Sequence, residues 1–393
     1  MIDRAEIKCG FVCKVERERV AAIANVEWNS DPAIAEGTDT GSIESEEAYV
    51  MFTSGSTGEP KGVPVGRRQV AHYLEHILST YTFTSKDRFT QLFALTFDLS
   101  VHDLFVAWGA GGTLCVPSAE TPLNAASFVR DNSITVWFSV PSQVRLMRRM
   151  RALSPVSLPS LTHSFFCGEA LSSDLAIDWM KAAPHSRVID LYGPTETTIA
   201  VTSYEVNTAD ADRFDPVPLG RPFPGHEALI ENDGVLRSEG EGELLIAGPQ
   251  VNRGYLNDPI ATAKSFIDHA DRKWYCTGDL VRRDAAGVLH FLGRNDEQVK
   301  VMGHRVETAE VDAVLHDHLR GGNAITVPMV NDGVTRLITF IDVRSDIDAL
   351  FQVLRDRLPP YMIPERIVHV DGFPYNASGK LDRKALIASI GAG

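Results

Sequence analysis

Thr53-Ser54-Gly55-Ser56-Thr57-Gly58-Glu59-Pro60-Lys61-Gly62, directly after the apolar run Tyr49-Val50-Met51-Phe52, decides how the rest of the chain is read. Glycines let the backbone turn tightly and aim its N–H groups at an anion, while hydroxyls and a lysine add hydrogen bonds and charge. A flexible Ser/Gly turn is the plain alternative. The density of hydroxyls and the presence of Lys61 tip the reading to phosphate. It is not a Walker A loop, because no Gly-Lys-Ser/Thr triplet closes it.

Downstream of this loop, short apolar strands alternate with helical patterns: RFTQLFAL, ITVWFSV, SFFCG and RVIDLYG. Such alternation predicts a layered α/β lobe with much parallel sheet. From about residue 203 to 294 the helical patterns thin out. GELLIAG, KWYCTGDLVRRD and VLHFLGR read as strands of a β-rich subdomain that closes the large lobe. After the polar stretch Gly293-Arg294-Asn295-Asp296-Glu297, helix stripes at Val311, Val314, Leu315, Leu319 and at Ile347, Leu350, Val353, Leu354, Leu358 flank the strands ITVPMV and RLITFIDV. Pro359-Pro360 ends the second helix. The expected division is a large lobe over 1–294 and a small α+β lobe over 295–393. Upstream of Thr53, residues 7–15 read as a strand, 16–25 as a helix and 31–47 as an acidic loop.

Composition sets the outer bounds. The chain has 393 residues, 44% hydrophobic and 23% charged, the balance of a folded globular protein rather than a disordered, collagenous or disulfide-stapled one. Its charge is 38 − 52 = −14, which speaks against binding a phosphate backbone, so no nucleic-acid partner is expected. The start, MIDRAEIKCGFVCK, has no apolar run of a secretory signal. The most apolar stretch, LFVAWGAGGTLCV, is shorter than the roughly 20 residues a bilayer needs. Five cysteines sit among apolar residues, as reduced thiols do, and Cys9 with Cys13 lacks a second ligand pair at metal spacing. A cytoplasmic chain without a membrane partner is expected.

Four further patterns carry chemistry. Tyr192-Gly193-Pro194-Thr195-Glu196-Thr197-Thr198 follows the strand RVIDL, where open α/β sheets bind ligands, and offers a stacking face, a hydroxyl and a carboxylate. A Gly-Pro turn with Thr195 capping a helix is an equal reading on these residues alone. Phe97-Asp98-Leu99-Ser100-Val101-His102 places Asp98 and His102 one helical turn apart, with a plain N-cap as the alternative for Asp98. Tyr275-Cys276-Thr277-Gly278-Asp279 ends in an aspartate suited to two ribose hydroxyls, or to a β-turn. Asn376-Ala377-Ser378-Gly379-Lys380-Leu381-Asp382 holds a lysine that in isolation reads as an exposed loop residue.

In this order the motifs resemble the adenylate-forming (ANL) superfamily of acyl-CoA synthetases, luciferases and nonribosomal peptide synthetase adenylation domains. The match runs from about Tyr49 to Leu386 and includes Gly168-Glu169-Ala170-Leu171, GELLIAGPQVNRGYL and GRNDEQVKVMGHRVE. The resemblance implies that a carboxylic acid and ATP form an acyl-adenylate and pyrophosphate, after which a thiol takes the acyl group. It implies that Thr53, Ser54, Gly55, Ser56, Thr57, Gly58 and Lys61 hold the β- and γ-phosphates, with Gly168 and Glu169 also at the ATP site. Tyr192 would pack on adenine, with Gly193 also at the ATP site, Thr195 would contact the α-phosphate, and Glu196 would ligate Mg²⁺. Asp279 and Arg294 would bind ribose, and Lys380 would reach in from the small lobe to the reacting oxygens. Asp296 matches the hinge about which the small lobe rotates between the two half-reactions.

Asp98 matches the residue that pairs with the α-ammonium in amino-acid-activating members, whereas ligases of plain acids do not need it. The implied side-chain pocket is Leu99, His102, Phe138, Phe165, Cys167, Leu191, Ile199 and Ala200. Phe138 and Phe165 take up space and only His102 is clearly polar, so a compact, mostly apolar amino acid such as alanine or proline is expected, with D-alanine open. No carrier domain follows Lys380, so loading of a separate phosphopantetheinylated carrier protein in trans is expected. The departures from the family pattern are Met302 for an arginine, Thr308-Ala309 for Leu-Gly, and a leading portion of only 52 residues before Thr53. A shortened leading portion would bare apolar surface, to be covered by self-association or a helper protein. An acyl-CoA or aryl-acid ligase is the runner-up, against which Asp98 speaks. A degenerate, non-catalytic nucleotide-binding homologue is the third reading, against which the intact loop, Glu196, Asp279 and Lys380 speak.

Overall fold

The computed structural model describes residues 9–11, 27–29, 46–55, 60–118, 124–210, 213–296, 298–316, 318–319, 321–331, 334–374, 381 and 383–390. Its first elements, β1 (Cys9–Phe11) and β2 (Glu27–Asn29), pair in parallel. The helix expected over 16–25, nearly all of the loop over 31–47 and Cys13 lie outside the described residues.

The run before the glycine-rich loop is a strand, β3 (Glu47–Thr53), but it folds back rather than feeding a helix. It pairs antiparallel with β4 (Lys61–Gly66), and the register sets Thr53 opposite Lys61. The two ends of the glycine-rich loop are therefore held side by side by a ladder. The helix α1 (Arg67–Thr80) starts only after β4, where the Gln69 side chain accepts the Gly66 amide at 2.6 Å.

The next segment winds the main sheet: β5 (Arg88–Thr90), α2 (Leu99–Gly109), β6 (Thr113–Cys115), α3 (Ala125–Asp131), β7 (Val136–Ser139), α4 (Pro141–Arg149), β8 (His163–Phe166), α5 (Ser173–Ala182) and β9 (Arg187–Tyr192). The five strands are parallel in the order β6-β5-β7-β8-β9, and antiparallel β10 (Thr202–Val206) and β11 (Arg221–Pro222) extend the sheet. Strand alternation sends side chains to two cores, as a sheet covered on both faces requires. Val136, Phe138, Phe165, Ile189 and Leu191 join α1 and α2 on one face. Trp137, Phe166 and Val188 join α4 and α5 on the other. The run RFTQLFAL is a strand for three residues only. The buried Asp103 carboxylate of α2 accepts the amides of Leu92 and Phe93 and so draws the chain out of the ladder.

Antiparallel β12 (Glu227–Asn232), β13 (Val235–Arg237), β14 (Gly240–Ala247), β15 (Phe266–His269), β16 (Arg272–Arg283) and β17 (Leu289–Arg294), with α6 (Pro259–Ser265) before β15, form the expected β-rich region. The C-terminal unit holds the hairpin β18 (Gln298–Val301) and β19 (His304–Glu307), α7 (Thr308–His316), β20 (Ala324–Asn331), β21 (Val334–Ile341), α8 (Ile347–Arg357), β22 (Arg366–His369) and α9 (Arg383–Ile390). Leu319 and Leu358 fall just beyond their helices but stay buried. The chain is thus an α/β protein with a large lobe and a small α+β lobe. Among the described residues, no apolar core cluster combines residues before Arg294 with residues after Gln298.

Candidate active site

The loop after β9 is shaped by close packing. A Cβ on Gly193 would lie 2.5 Å from the Ala200 Cα, so only glycine fits there. Thr195–Thr197 make one turn of 3₁₀ helix, after which Thr198 and Ile199 adopt left-handed φ values of 61° and 68°. Such a conformation is costly for a branched residue unless its surroundings fix it. Fully buried Gln250 does so. Its side-chain amide donates to the carbonyls of Thr198 and Ala200 at 3.0 and 2.8 Å, and its main-chain carbonyl accepts the Thr198 hydroxyl at 2.8 Å. The strained turn delivers Glu196, Ile199 and Ala200 to the interior.

Glu196 has no solvent exposure and does not stand alone. Arg305, on β19 of the small lobe, donates to its Oε1 and Oε2 at 3.0 and 3.1 Å, and the Tyr255 hydroxyl donates at 2.7 Å. Burial pushes the Glu196 carboxyl up, but Arg305 and the tyrosine more than offset it and hold it below the usual range. The phosphate loop converges here too. The Ser54 hydroxyl donates to the Arg305 carbonyl at 2.8 Å, the Thr53 hydroxyl is buried without a partner, and Lys61 sits 5.2 Å from the Tyr255 ring centre. Burial, then Arg305, push the Lys61 ammonium pKa down. Ser56, Thr57, Gly58 and Lys380 lie outside the described residues.

A second cluster joins the loop to the hinge. Tyr192 donates to Asp279 Oδ2 and Arg294 donates to Asp279 Oδ1, both at 2.5 Å. Strand pairing across β16 and β17 sets Asp279 and Arg294 opposite each other. The same guanidinium reaches Asp296 at 2.6 and 2.7 Å and Gln298 at 2.7 Å. Arg294 therefore ties the ribose candidate to the start of the small lobe. A carboxylate has roughly four acceptor sites, so Asp279 keeps room for further donors.

Asp98 stands at the N-terminus of α2 but does not cap it. It is buried, and its Oδ2 has no hydrogen-bond partner among the described residues. Burial pushes its carboxyl up to about 7; the Thr195 hydroxyl pulls it down and nearby Glu196 adds to the rise. The cleft beside it has space for a cationic partner. That cleft is lined from the large lobe by Phe97, Asp98, Leu99, Cys167, Gly168, Tyr192, Gly193, Thr195, Asp279 and Arg294, and from the small lobe by Gln298, Val299, Lys300, Gly303 and Arg305. Of the implied side-chain pocket, Leu99 and Cys167 reach the cleft. His102, Phe138, Phe165, Leu191, Ile199 and Ala200 do not line it and are at most 2% exposed. The His102 ring lies 4.2 Å from Phe138 and 5.4 Å from Phe165, so three rings fill the space beyond Asp98. An ammonium pairs only with ionised Asp98. Amino-acid kcat/KM is therefore expected to rise with unit slope up to about pH 7 and level off above it, read by exchange assays over roughly pH 5.5 to 8.5. A profile flat through pH 7 would count against the pairing.

Glu169 is a clamp in this arrangement. Its carboxylate accepts the Ser142 amide and the Gly303 amide, both at 2.8 Å, and so joins α4 to the turn of the small-lobe hairpin. Gly168, at φ 92°, lies where a Cβ would come 3.5 Å from the Gly303 Cα. His304 stacks flat on Tyr361 at 3.8 Å and lies 5.0 Å from Phe97, while Met302 is exposed. Arg305, Lys300, Gln250 and Tyr255 were not singled out from sequence. All four lie in stretches quoted there for the resemblance, GELLIAGPQVNRGYL and GRNDEQVKVMGHRVE, which contained the signal but not the roles.

The AMP-binding enzyme profile matches residues 7–256, well over half of the chain. The chain belongs to the AMP-binding enzyme family. Within it, the chain is 35% identical to a D-alanine–D-alanyl carrier protein ligase of Lactiplantibacillus plantarum, over 87% of this chain and 70% of that one. It is 33% identical to a delta-poly-L-ornithine synthetase of Acinetobacter baumannii, over 96% of this chain but only 30% of the synthetase. The crystal structure of the Vibrio cholerae adenylation domain AlmE in complex with glycyl-adenosine-5'-phosphate superposes with a TM-score of 0.83 and 34% identity, covering 98% of this chain and 75% of that one. AMP-binding relatives are thus amino acid adenylation domains and carrier-protein ligases, and ATP is the nucleotide the family uses.

A magnesium ion fits this site only with help from a nucleotide. Among the described residues no group of three or more His, Cys, Asp or Glu could hold a metal. Magnesium commonly takes one or two carboxylates together with substrate phosphates, and Glu196 beside the phosphate loop is such a carboxylate. No helix among the described residues is long and apolar enough to cross a membrane.

Proposed function

We propose that the protein is an ATP-dependent, AMP-forming amino acid ligase that activates glycine or alanine and loads it onto the phosphopantetheine thiol of a separate carrier protein. The observation that carries this is the buried Asp98 carboxylate, whose Oδ2 has no partner among the described residues, at a cleft whose far side is closed by His102, Phe138 and Phe165. An α-ammonium satisfies the first, and a side chain no larger than a methyl suits the second. The glycyl-adenylate bound by AlmE and the D-alanine specificity of the ligases support the same size class.

In the first half-reaction the substrate carboxylate attacks the α-phosphorus of ATP and the bond to pyrophosphate breaks. Asp98 fixes the ammonium, Tyr192 the adenine, Asp279 and Arg294 the ribose, Thr195 the α-phosphate, and the Thr53-to-Lys61 loop the leaving phosphates. Lys380 offsets the repulsion between the two anions as charge spreads. Magnesium, held by Glu196 and the phosphates, would supply further charge neutralisation. In the second half-reaction the carrier thiol loses its proton, its sulfur attacks the acyl carbon, and AMP leaves. The small lobe, taken over 295–393 and turning about Asp296, presents Lys380 for the first step and the hairpin with Arg305 for the second. An ATP-consuming reaction on a free thiol suits the cytoplasm.

A panel of amino acids in ATP–pyrophosphate exchange tests this reading. Exchange with glycine or alanine is expected, and no exchange with any amino acid would sink it.

A further inference from the structure

The closed side of the pocket is propped from behind. Tyr73, on α1, is fully buried, and its hydroxyl lies 2.6 Å from the Nδ1 of His102 on α2. Burial pushes the His102 pKa down to about 3, so the ring is neutral and carries one proton. A phenol is a good donor and a bare ring nitrogen a good acceptor, which leaves the proton on Nε2. That nitrogen is buried and has no partner. Among the described residues the ring has one polar anchor, the Tyr73 hydroxyl, and it packs on Phe138 at 4.2 Å and Phe165 at 5.4 Å. Histidine rotates broadly about its outer side-chain bond, so without an anchor the ring has no fixed plane.

We propose that Tyr73 is a positioning residue for amino-acid selection, which locks His102 against Phe138 and so keeps the pocket at the size of glycine or alanine. This rests on the amino-acid-ligase reading above. Nothing in the local sequence marks Tyr73, because an aromatic residue on the inner face of a helix normally only packs.

The test is amino-acid-dependent exchange by the full chain with glycine, alanine and 2-aminobutyrate. Tyr73→Phe is expected to lower the glycine-to-2-aminobutyrate ratio of kcat/KM by about tenfold, the scale of one or two methylenes in a pocket, with the change in KM. His102→Ala is expected to lower it at least as much. Tyr73→Phe added to His102→Ala should change nothing further, since Tyr73 acts through His102. An unchanged ratio in a Tyr73→Phe protein that melts like the wild type would overturn the proposal, as would additive effects in the double variant. Should Tyr73→Phe not fold, an unchanged ratio in His102→Ala overturns it equally. A wild-type protein that exchanges no amino acid would instead mark failure of the function itself.

Discussion

Asp98→Ala is expected to lower amino-acid-dependent exchange by roughly 150- to 5,000-fold in kcat/KM, the scale of about 3–5 kcal/mol for breaking a buried charge pair. The loss should appear with every amino acid, because the α-ammonium is common to all. Stability is expected to move the other way. The carboxylate is buried and its Oδ2 lacks a partner among the described residues, so its removal takes away a desolvation cost larger than the help it has from the Thr195 hydroxyl and nearby amides. A melting temperature equal to or above that of the wild type, together with lost exchange, is the signature of a binding residue. A lower melting temperature with exchange intact would mean that Asp98 is structural, and would reopen the acyl-CoA or aryl-acid ligase reading.

Arg305→Ala is expected to separate the two half-reactions. In the arrangement seen here the guanidinium answers Glu196, which is otherwise sealed from water, and its backbone carbonyl takes the Ser54 hydroxyl. Removing it leaves a buried carboxylate uncompensated in this arrangement alone, at a cost of roughly 3 kcal/mol or more, which is about 100-fold in an equilibrium. Carrier loading should therefore fall by about 100-fold relative to pyrophosphate exchange. Quenched-flow measurement of carrier acylation from preformed adenylate, beside exchange on the same preparation, reads the ratio. Equal losses in both would place Arg305 in the adenylation step instead.

Much of this site was legible in the sequence because its parts are local. The hydroxyl-rich loop, the Tyr192-to-Thr198 loop and the strand-end Asp279 each sit within a few residues of the element that positions them. Strand periodicity could not tell that β3 pairs with β4, since a strand's pattern reports burial and not its partner. Arg305 was invisible for a related reason. One arginine inside GHRVE has no meaning until β19 is laid against Glu196, a contact made across 109 residues of chain. The side-chain pocket was assigned as nine residues around the substrate, counting Asp98. In the fold, most of them interlock with one another, and only spatial packing reveals how little space they leave.

The separate cores of the two lobes bear on how finely this enzyme is balanced. Since no apolar cluster among the described residues spans the junction, the small lobe can change its seat without exposing a core. What holds the small lobe in its present seat then includes Arg305 with Glu196 and Ser54, Glu169 with the Gly303 amide, Arg294 with Asp296, and His304 beside Phe97. Free-energy gaps of that size are a few kcal/mol, so occupancies respond to single binding events. Inverting a 99:1 population takes about 5.5 kcal/mol of differential affinity, within reach of one nucleotide that prefers one seat. On that scale, the ratio of ATP to AMP around the protein would itself set which seat predominates.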